Sequence, residues 1–203
     1  IILTHWHFDH VGCLVYLINE WNGPVYAHPL EFPYLTGKLA YPEPDASVEG
    51  GMLAKISSVY PHQPIDISGA VLPLATNHSV NDLPGWKWIH TPGHSPGHVS
   101  FFRESDGLLL SGDAFITVRQ DSFYKVLLQK EEVNGPPRYL TTDWEAARES
   151  VKKLRALNPK VVISGHGSAM EGEELKEGLD NLAANFDDLA IPEHGKFVGR
   201  KEQ

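Results

Sequence analysis

The chain has 203 residues, 41% of them hydrophobic and 21% charged, which suits a soluble globular domain with a sizeable core and excludes a disordered or fibrous chain. Its 26 acidic and 17 basic side chains leave a formal net charge of −9, which argues against a nucleic-acid-binding surface. No run of about 18 apolar residues argues for a membrane span, and the single cysteine, Cys13, excludes an internal disulfide.

The opening "IILT" reads as the end of a buried strand, running into "HWHFDH". In extended backbone, side chains alternate faces, so His5, His7 and Asp9 are expected to point the same way. His10 falls where a helix starts, because "HVGCLVYLINEW" carries apolar residues at Val11, Leu14, Val15, Leu17 and Ile18. Cys13 is expected as a small buried residue of that helix. "GPVYAH" (23–28) reads as a short strand. Residues 29–68 are rich in proline and glycine, with one short helix around "GGMLAKISSVY", and read as an insertion or lid over the site. The whole chain, 1–203, is therefore expected to form one domain. "GAVLPLAT", "WKWIHT", "HVSFFRE" and "GLLLSGD" read as successive strands. "TTDWEAARESVKKLRALNP" is an amphipathic helix, with Thr142 as its cap and Glu145 completing a capping box. "KVVISGHG" is another buried strand, and "EGEELKEGLDNLAANFDDLA" a second helix. This late alternation predicts α/β layers, with helices covering a sheet.

Four strands end in a charged or imidazole residue beside glycine: the opening motif, "HTPGHSPGH" (90–98), "LLLSGDA" (108–114) and "VVISGHG" (161–167). Strand ends on one sheet edge converge, and glycines let the backbone come close. His94, Asp113 and His166 would thus join His5, His7, Asp9 and His10, giving five imidazoles and two carboxylates. Such a set, without balancing cations, points to divalent metal. One tetrahedral ion takes about four ligands, so seven suit two ions sharing a bridging carboxylate.

These motifs resemble the metallo-β-lactamase superfamily. "THWHFDH" matches its HxHxDH signature, and "TPGHSPGH", "SGDA" and "SGHG" match its later motifs in order, over essentially the whole chain. The resemblance implies a four-layer αββα sandwich with a dinuclear site at its edge. It implies that His5, His7 and His94 hold one metal, that Asp9, His10 and His166 hold the other, and that Asp113 bridges them. Two divalent ions are expected, zinc first, with iron or manganese as alternatives. The family has several strands ahead of its histidine motif, so roughly fifty preceding residues are expected to be missing here.

Two adjacent cations lower the pKa of a bridging water enough to give hydroxide near neutral pH. Asp9 is expected to orient that nucleophile and to carry a proton to the leaving group. Thr4, His98 and Ser111 are candidates to fix the imidazoles from behind. True β-lactamases of the superfamily usually have Cys or Ser where Asp113 stands, so antibiotic hydrolysis is not expected. "HFDH" and "TPGHSPGH" are similar to the N-acyl homoserine lactonases, whose tyrosine three residues after the bridging aspartate is Ile116 here. The glyoxalase II resemblance is weaker. The expected activity is hydrolysis of a small ester, thioester or lactone. The alternatives are a mononuclear iron oxygenase similar to the persulfide dioxygenases, a phosphodiesterase of the same fold, and a non-enzymatic binding member. The expected partner is a small molecule, with neither nucleic acid nor membrane, in the cytoplasm; the oligomeric state is open. Trp6 and Phe8 should point away from the histidines, at the pocket mouth or against the lid, where Tyr34, Tyr41 and Tyr60 also lie. Arg119 and Lys125 follow the bridging motif, where solvent exposure is the default reading and contact with an anionic substrate the alternative. His28, His62, His78, His90 and His194 read as surface or structural residues.

Overall fold

The computed structural model describes residues 1–49, 51–80, 82–118 and 131–199. Two short helices, α1 (Phe8–Val11) and α2 (Leu14–Trp21), stand where the apolar spacing predicted one. The chain turns at Gly12 and Cys13, which lets Val11 and Leu14 both face inward. Cys13 is exposed at this break, not buried as expected. Because α1 begins at Phe8, strand alternation ends at His7, and Asp9 reaches out from a helical turn. Asn22 closes α2 in the left-handed conformation, which Asn tolerates, and its N–H donates to the Ile18 carbonyl.

Strand β1 (Val25–Ala27) follows, then a 3-10 turn at Pro29–Glu31 and helix α3 (Phe32–Leu35). Helix α4 (Gly51–Ile56) runs into a second such turn, Ser57–Val59. Strand β2 (Val71–Pro73) pairs in parallel with β1, and Ile2 bridges to Tyr26 on the other side. Next come β3 (Trp86–His90), β4 (Val99–Arg103) and β5 (Leu108–Gly112), an antiparallel meander. A small hairpin that the sequence did not announce pairs β6 (Ile116–Val118) with β7 (Glu131–Asn134). Helix α5 (Trp144–Ala156) then crosses over to β8 (Val161–Ser164), which lies parallel to β5; parallel neighbours need such a crossover. Strand β9 (Met170–Glu171) completes the larger sheet, in the order β3-β4-β5-β8-β9. Helices α6 (Gly172–Ala184) and α7 (Phe186–Leu189) close the described chain, divided at Asn185 where the sequence predicted one helix.

The apolar residues sort these elements into layers. Trp144, Val151, Leu154, Leu175, Leu179 and Phe186 from α5, α6 and α7 pack on Leu109 and Val162 of the larger sheet. The opposite face of that sheet, with Trp88, Val99 and Phe101, meets Leu74, Val80 and the half-buried Ile2 and Tyr26 of the smaller one. Val25 and Ala27 point the other way, into an apolar layer with Trp6, Val11, Leu14, Leu35 and Tyr41. Alternation along β1 thus separates the two cores, and the order helix, sheet, sheet, helix is the sandwich expected.

The start of α5 corrects the capping expectation. Asp143, not Thr142, is the cap: its carboxylate accepts the Ala146 N–H at 2.9 Å, and Glu145 is exposed. Burial sets this register, because Trp144 and Ala147 face the core and the cap falls on the residue before Trp144. The N–H groups of Thr142 and Asp143 donate to the Gly93 carbonyl, and a Cβ on Gly93 would overlap Ala147, so α5 begins hard against the second histidine motif. No helix among the described residues is long and apolar enough to cross a membrane.

Candidate metal centre

Each of the seven singled-out side chains arrives from a segment whose path the fold fixes. His5 and His7 lie just ahead of α1, and Trp6 between them turns into the apolar layer, with its ring 5.9 Å from Tyr34 and 6.0 Å from Tyr41. Trp6 therefore packs against the 29–68 segment and does not line a pocket mouth. His94 lies on the turn between β3 and β4. Asp113 directly follows β5, and His166 follows β8 by two residues. Those two strands are parallel neighbours, so their carboxyl ends share one edge, joined by the Gly165 N–H to the Gly112 carbonyl at 2.9 Å.

The structure brings all seven together. Asp113 Oδ2 lies 3.2 Å from His166 Nε2, 3.3 Å from His94 Nε2, 3.6 Å from His10 Nε2 and 3.9 Å from His5 Nε2. Asp9 Oδ2 lies 3.2 Å from His166 Nε2 and 3.7 Å from His10 Nε2. His7 Nδ1 and His94 Nε2 are 2.7 Å apart. Three groups of potential ligand atoms fall within 4.8 Å of one another: His5, His7 and His94; His5, His10 and Asp113; and Asp9, His10 and His166. The first group is fully buried, whereas Asp9 is exposed and His10 and His166 are half-buried. The centre thus has a core side and a solvent side.

Charge follows burial. Burial, with the neighbouring imidazoles, holds His5 and His7 well below the usual histidine value, so both are neutral and free to donate a lone pair. Burial alone would raise Asp113, but His166, His10 and His94 around it outweigh that and hold its carboxyl well below the usual range. Burial likewise opposes the charge on His166, yet Asp113 and Asp9 push it up to about 10.

A direct test of fit for cations is whether buried polar atoms lack partners. His5 Nε2, His7 Nε2, His10 Nε2 and Asp113 Oδ1 are buried with no hydrogen-bond partner among the described residues. Leaving such atoms unsatisfied is costly, and cations gripped by this nitrogen and oxygen set would relieve it. The residues present fit bound divalent metal.

Hydrogen bonds behind the cluster fix the rings. Thr141 donates its hydroxyl proton to the Pro137 carbonyl at 2.8 Å, so it accepts from His94 Nδ1 at 3.2 Å and leaves His94 Nε2 bare toward the cluster. Thr4 Oγ1 stands 3.0 Å from His5 Nδ1. His98 accepts the Asp113 N–H on Nε2 at 2.9 Å, so its Nδ1–H donates to Thr91 Oγ1 at 2.8 Å. Burial lowers His98 to about 3, which keeps it neutral for this task. Thr4 thus stands behind an imidazole as the sequence suggested, whereas His98 holds the Asp113 backbone and no imidazole, and the Ser111 hydroxyl donates to the Phe115 and Gly112 carbonyls. Sequence reasoning missed Thr141 and the buried Glu31, and it placed Tyr41 in the lid without the bond its hydroxyl donates to the His94 carbonyl at 2.7 Å. Arg119 and Lys125 lie outside the described residues. His28 and His90 stack on each other at 4.3 Å, and His194 pairs with Glu49 at 2.8 Å, as structural or surface residues.

With this geometry in place, the sequence profile of the metallo-β-lactamase superfamily matches residues 1–166. The chain belongs to the metallo-β-lactamase superfamily. It is 46% identical to the probable metallo-hydrolase YflN of Bacillus subtilis over 183 residues, covering 90% of this chain and 69% of YflN. It is 27% identical to the hydroxyacylglutathione hydrolase GloC of Haemophilus influenzae, covering 83% of this chain and 68% of that protein. The crystal structure of TTHA1623 in a di-iron-bound form superposes with a TM-score of 0.54 at 30% identity, covering 84% of this chain and 71% of that one. The centre described here sits at the edge of a layered α/β fold, among residues suited to binding metal.

Proposed function

We propose that this chain is a dinuclear metal-dependent hydrolase of a small ester, thioester or lactone, acting in the cytoplasm on a diffusible substrate. The observation that carries the reading is Asp113 Oδ2, within 3.9 Å of four imidazole nitrogens drawn from three separate motifs. A carboxylate at the meeting point of two ligand groups is what a pair of ions sharing one bridge requires. In this reading His5, His7 and His94 hold one ion, Asp9, His10 and His166 hold the other, and Asp113 serves both. Zinc, iron and manganese all suit nitrogen and oxygen donors, and the relative described as di-iron-bound keeps iron among them.

When bound, the ions lower the pKa of a coordinated water toward neutrality and polarise the substrate's carbonyl. Asp9 stands on the solvent side; burial works against its charge, but the hydrogen bond from His166 and the charge of His10 hold it below the usual range. An ionised carboxylate there orients the attacking water, takes its proton and passes it to the leaving group. Phe8, Tyr60 and Tyr139 form an aromatic row beside Asp9, with ring centroids 5.1 Å and 5.8 Å apart in turn. Burial, together with the charge of Asp9, raises both tyrosines, so their hydroxyls stay protonated. Such a wall accommodates an apolar acyl group, and the name of GloC also concerns an acyl substrate.

Elemental analysis of the purified protein, followed by a panel of lactones, thioesters, esters and phosphodiesters, tests the reading. The expected result is two transition-metal ions per chain and turnover of a carbonyl substrate, abolished by chelation and restored by metal. Turnover of phosphodiesters alone would overturn the substrate class. One redox-active iron per chain with oxygen consumption would replace hydrolysis with oxygenation.

A further inference from the structure

Glu31 ends the 3-10 turn Pro29–Glu31 and has no solvent exposure. One of its carboxylate oxygens accepts the Trp6 N–H at 3.0 Å. The other accepts the Ser95 hydroxyl at 2.8 Å and the Gly97 N–H at 2.6 Å. Trp6 is the residue between His5 and His7, and Ser95 follows His94. One side chain therefore clasps both segments that supply the three-histidine group, from a third segment that supplies none of it. The approach is close: a Cβ on Gly97 would lie 2.7 Å from Glu31 Oε1. Burying a carboxylate is costly, so a group held this way repays its cost in the geometry it imposes. The same 29–68 segment adds a second tie, the Tyr41 hydroxyl on the His94 carbonyl at 2.7 Å.

We propose that Glu31 is a positioning residue for the metal centre. By fixing the separation between the His5–His7 segment and the His94 turn, it sets the ion affinity of the three-histidine half without touching an ion. The inference rests on the two-ion reading above for its division into halves.

The test is Glu31→Gln, which keeps the shape but turns an NH2 group toward an N–H donor. Cobalt(II) binding is measured by chelator competition on the full chain in two backgrounds: His166→Ala, where the remaining ion reports the three-histidine half, and His94→Ala, where it reports the other half. Glu31→Gln is expected to weaken the first by about tenfold to a hundredfold and to change the second by less than about threefold. Val25→Ala, fully buried in the same apolar layer, is the control. It should lower the melting temperature of the metal-free protein and leave both affinities within about threefold. Glu31→Gln without the selective loss, or Val25→Ala with it, overturns the inference. Should Glu31→Gln not fold, Ser95→Ala removes one donor and is expected to weaken the same half by about threefold or more; an unchanged affinity there counts against the clasp. If the wild-type chain binds a single ion, the two-ion reading fails, and the comparison of Glu31→Gln with Val25→Ala on that ion still decides the role of Glu31. No uptake by the wild type overturns both.

Discussion

Gly165 has no room for a side chain, because a Cβ there would overlap Asp113 Oδ1 and lie 2.9 Å from His10 Cε1. Gly165→Ala must therefore push the Asp113 carboxylate away from the four imidazoles it serves. We expect bound metal to drop below that of the wild type and kcat to fall by about a hundredfold or more. Gly69→Ala, with nothing within 4 Å of the added carbon, should leave both unchanged. The two proteins, compared by elemental analysis and steady-state kinetics, separate a steric demand of the site from a general cost of replacing glycine. Why Gly165 was readable and Glu31 was not is a matter of sequence distance. Three of the seven clustered residues, His94, Asp113 and His166, sit beside glycine after a strand, and the other four crowd into six positions of the opening motif, both local signatures. Glu31 reaches partners 25 and 66 residues away, and Thr141 reaches His94 across 47, so only the folded chain shows what they touch.

Helix α5 shows the same division among elements. Its existence and buried face were legible, because Trp144, Ala147, Val151 and Leu154 recur at helical spacing and all are buried. Its first turn was not, because two hydroxyl residues and an aspartate precede Trp144, and only tertiary packing against Gly93 selects Asp143 as the cap. Asp143→Ala should cost about 1 kcal/mol of stability, read as a lower urea midpoint at unchanged slope. Glu145→Ala, which a capping box would make equally costly, should shift the stability by less than about 0.5 kcal/mol. The opening helix failed differently. A two-residue turn at Gly12 and Cys13 leaves the apolar spacing nearly intact, so periodicity alone joined α1 to α2. The β6–β7 hairpin was missed because β6 has three residues and a partner distant in sequence.

At the scale of the molecule, the buried imidazoles make stability depend on pH in a direction that can be worked out. His5, His7 and His98 are depressed when folded, His98 to about 3, and return to about 6.5 on unfolding. Their contribution is complete above about pH 6.5 and is lost as the pH falls from there toward the folded values. His166 has the opposite sign: raised to about 10, it contributes fully below about pH 6.5 and loses its contribution as the pH rises through about 10. The metal-free protein should therefore melt highest near neutrality and lower on either side. Calorimetry of the chelator-treated protein across that range checks this, and a melting temperature that climbs on acidification below about pH 6 would contradict it. Added metal should raise the neutral and alkaline values most, because the ligands must be unprotonated to bind.

The pairing of β5 with β8 also orders events on the ribosome. The opening histidines emerge first, His94 and Asp113 midway, and His166 only after α5 has been made. A nascent chain can therefore bring the opening motif, His94 and Asp113 together while His166 does not yet exist, and on the two-ion reading full loading has to wait until β8 docks beside β5. On that reading, complete metallation would be a late event of biogenesis that reports the docking of β8.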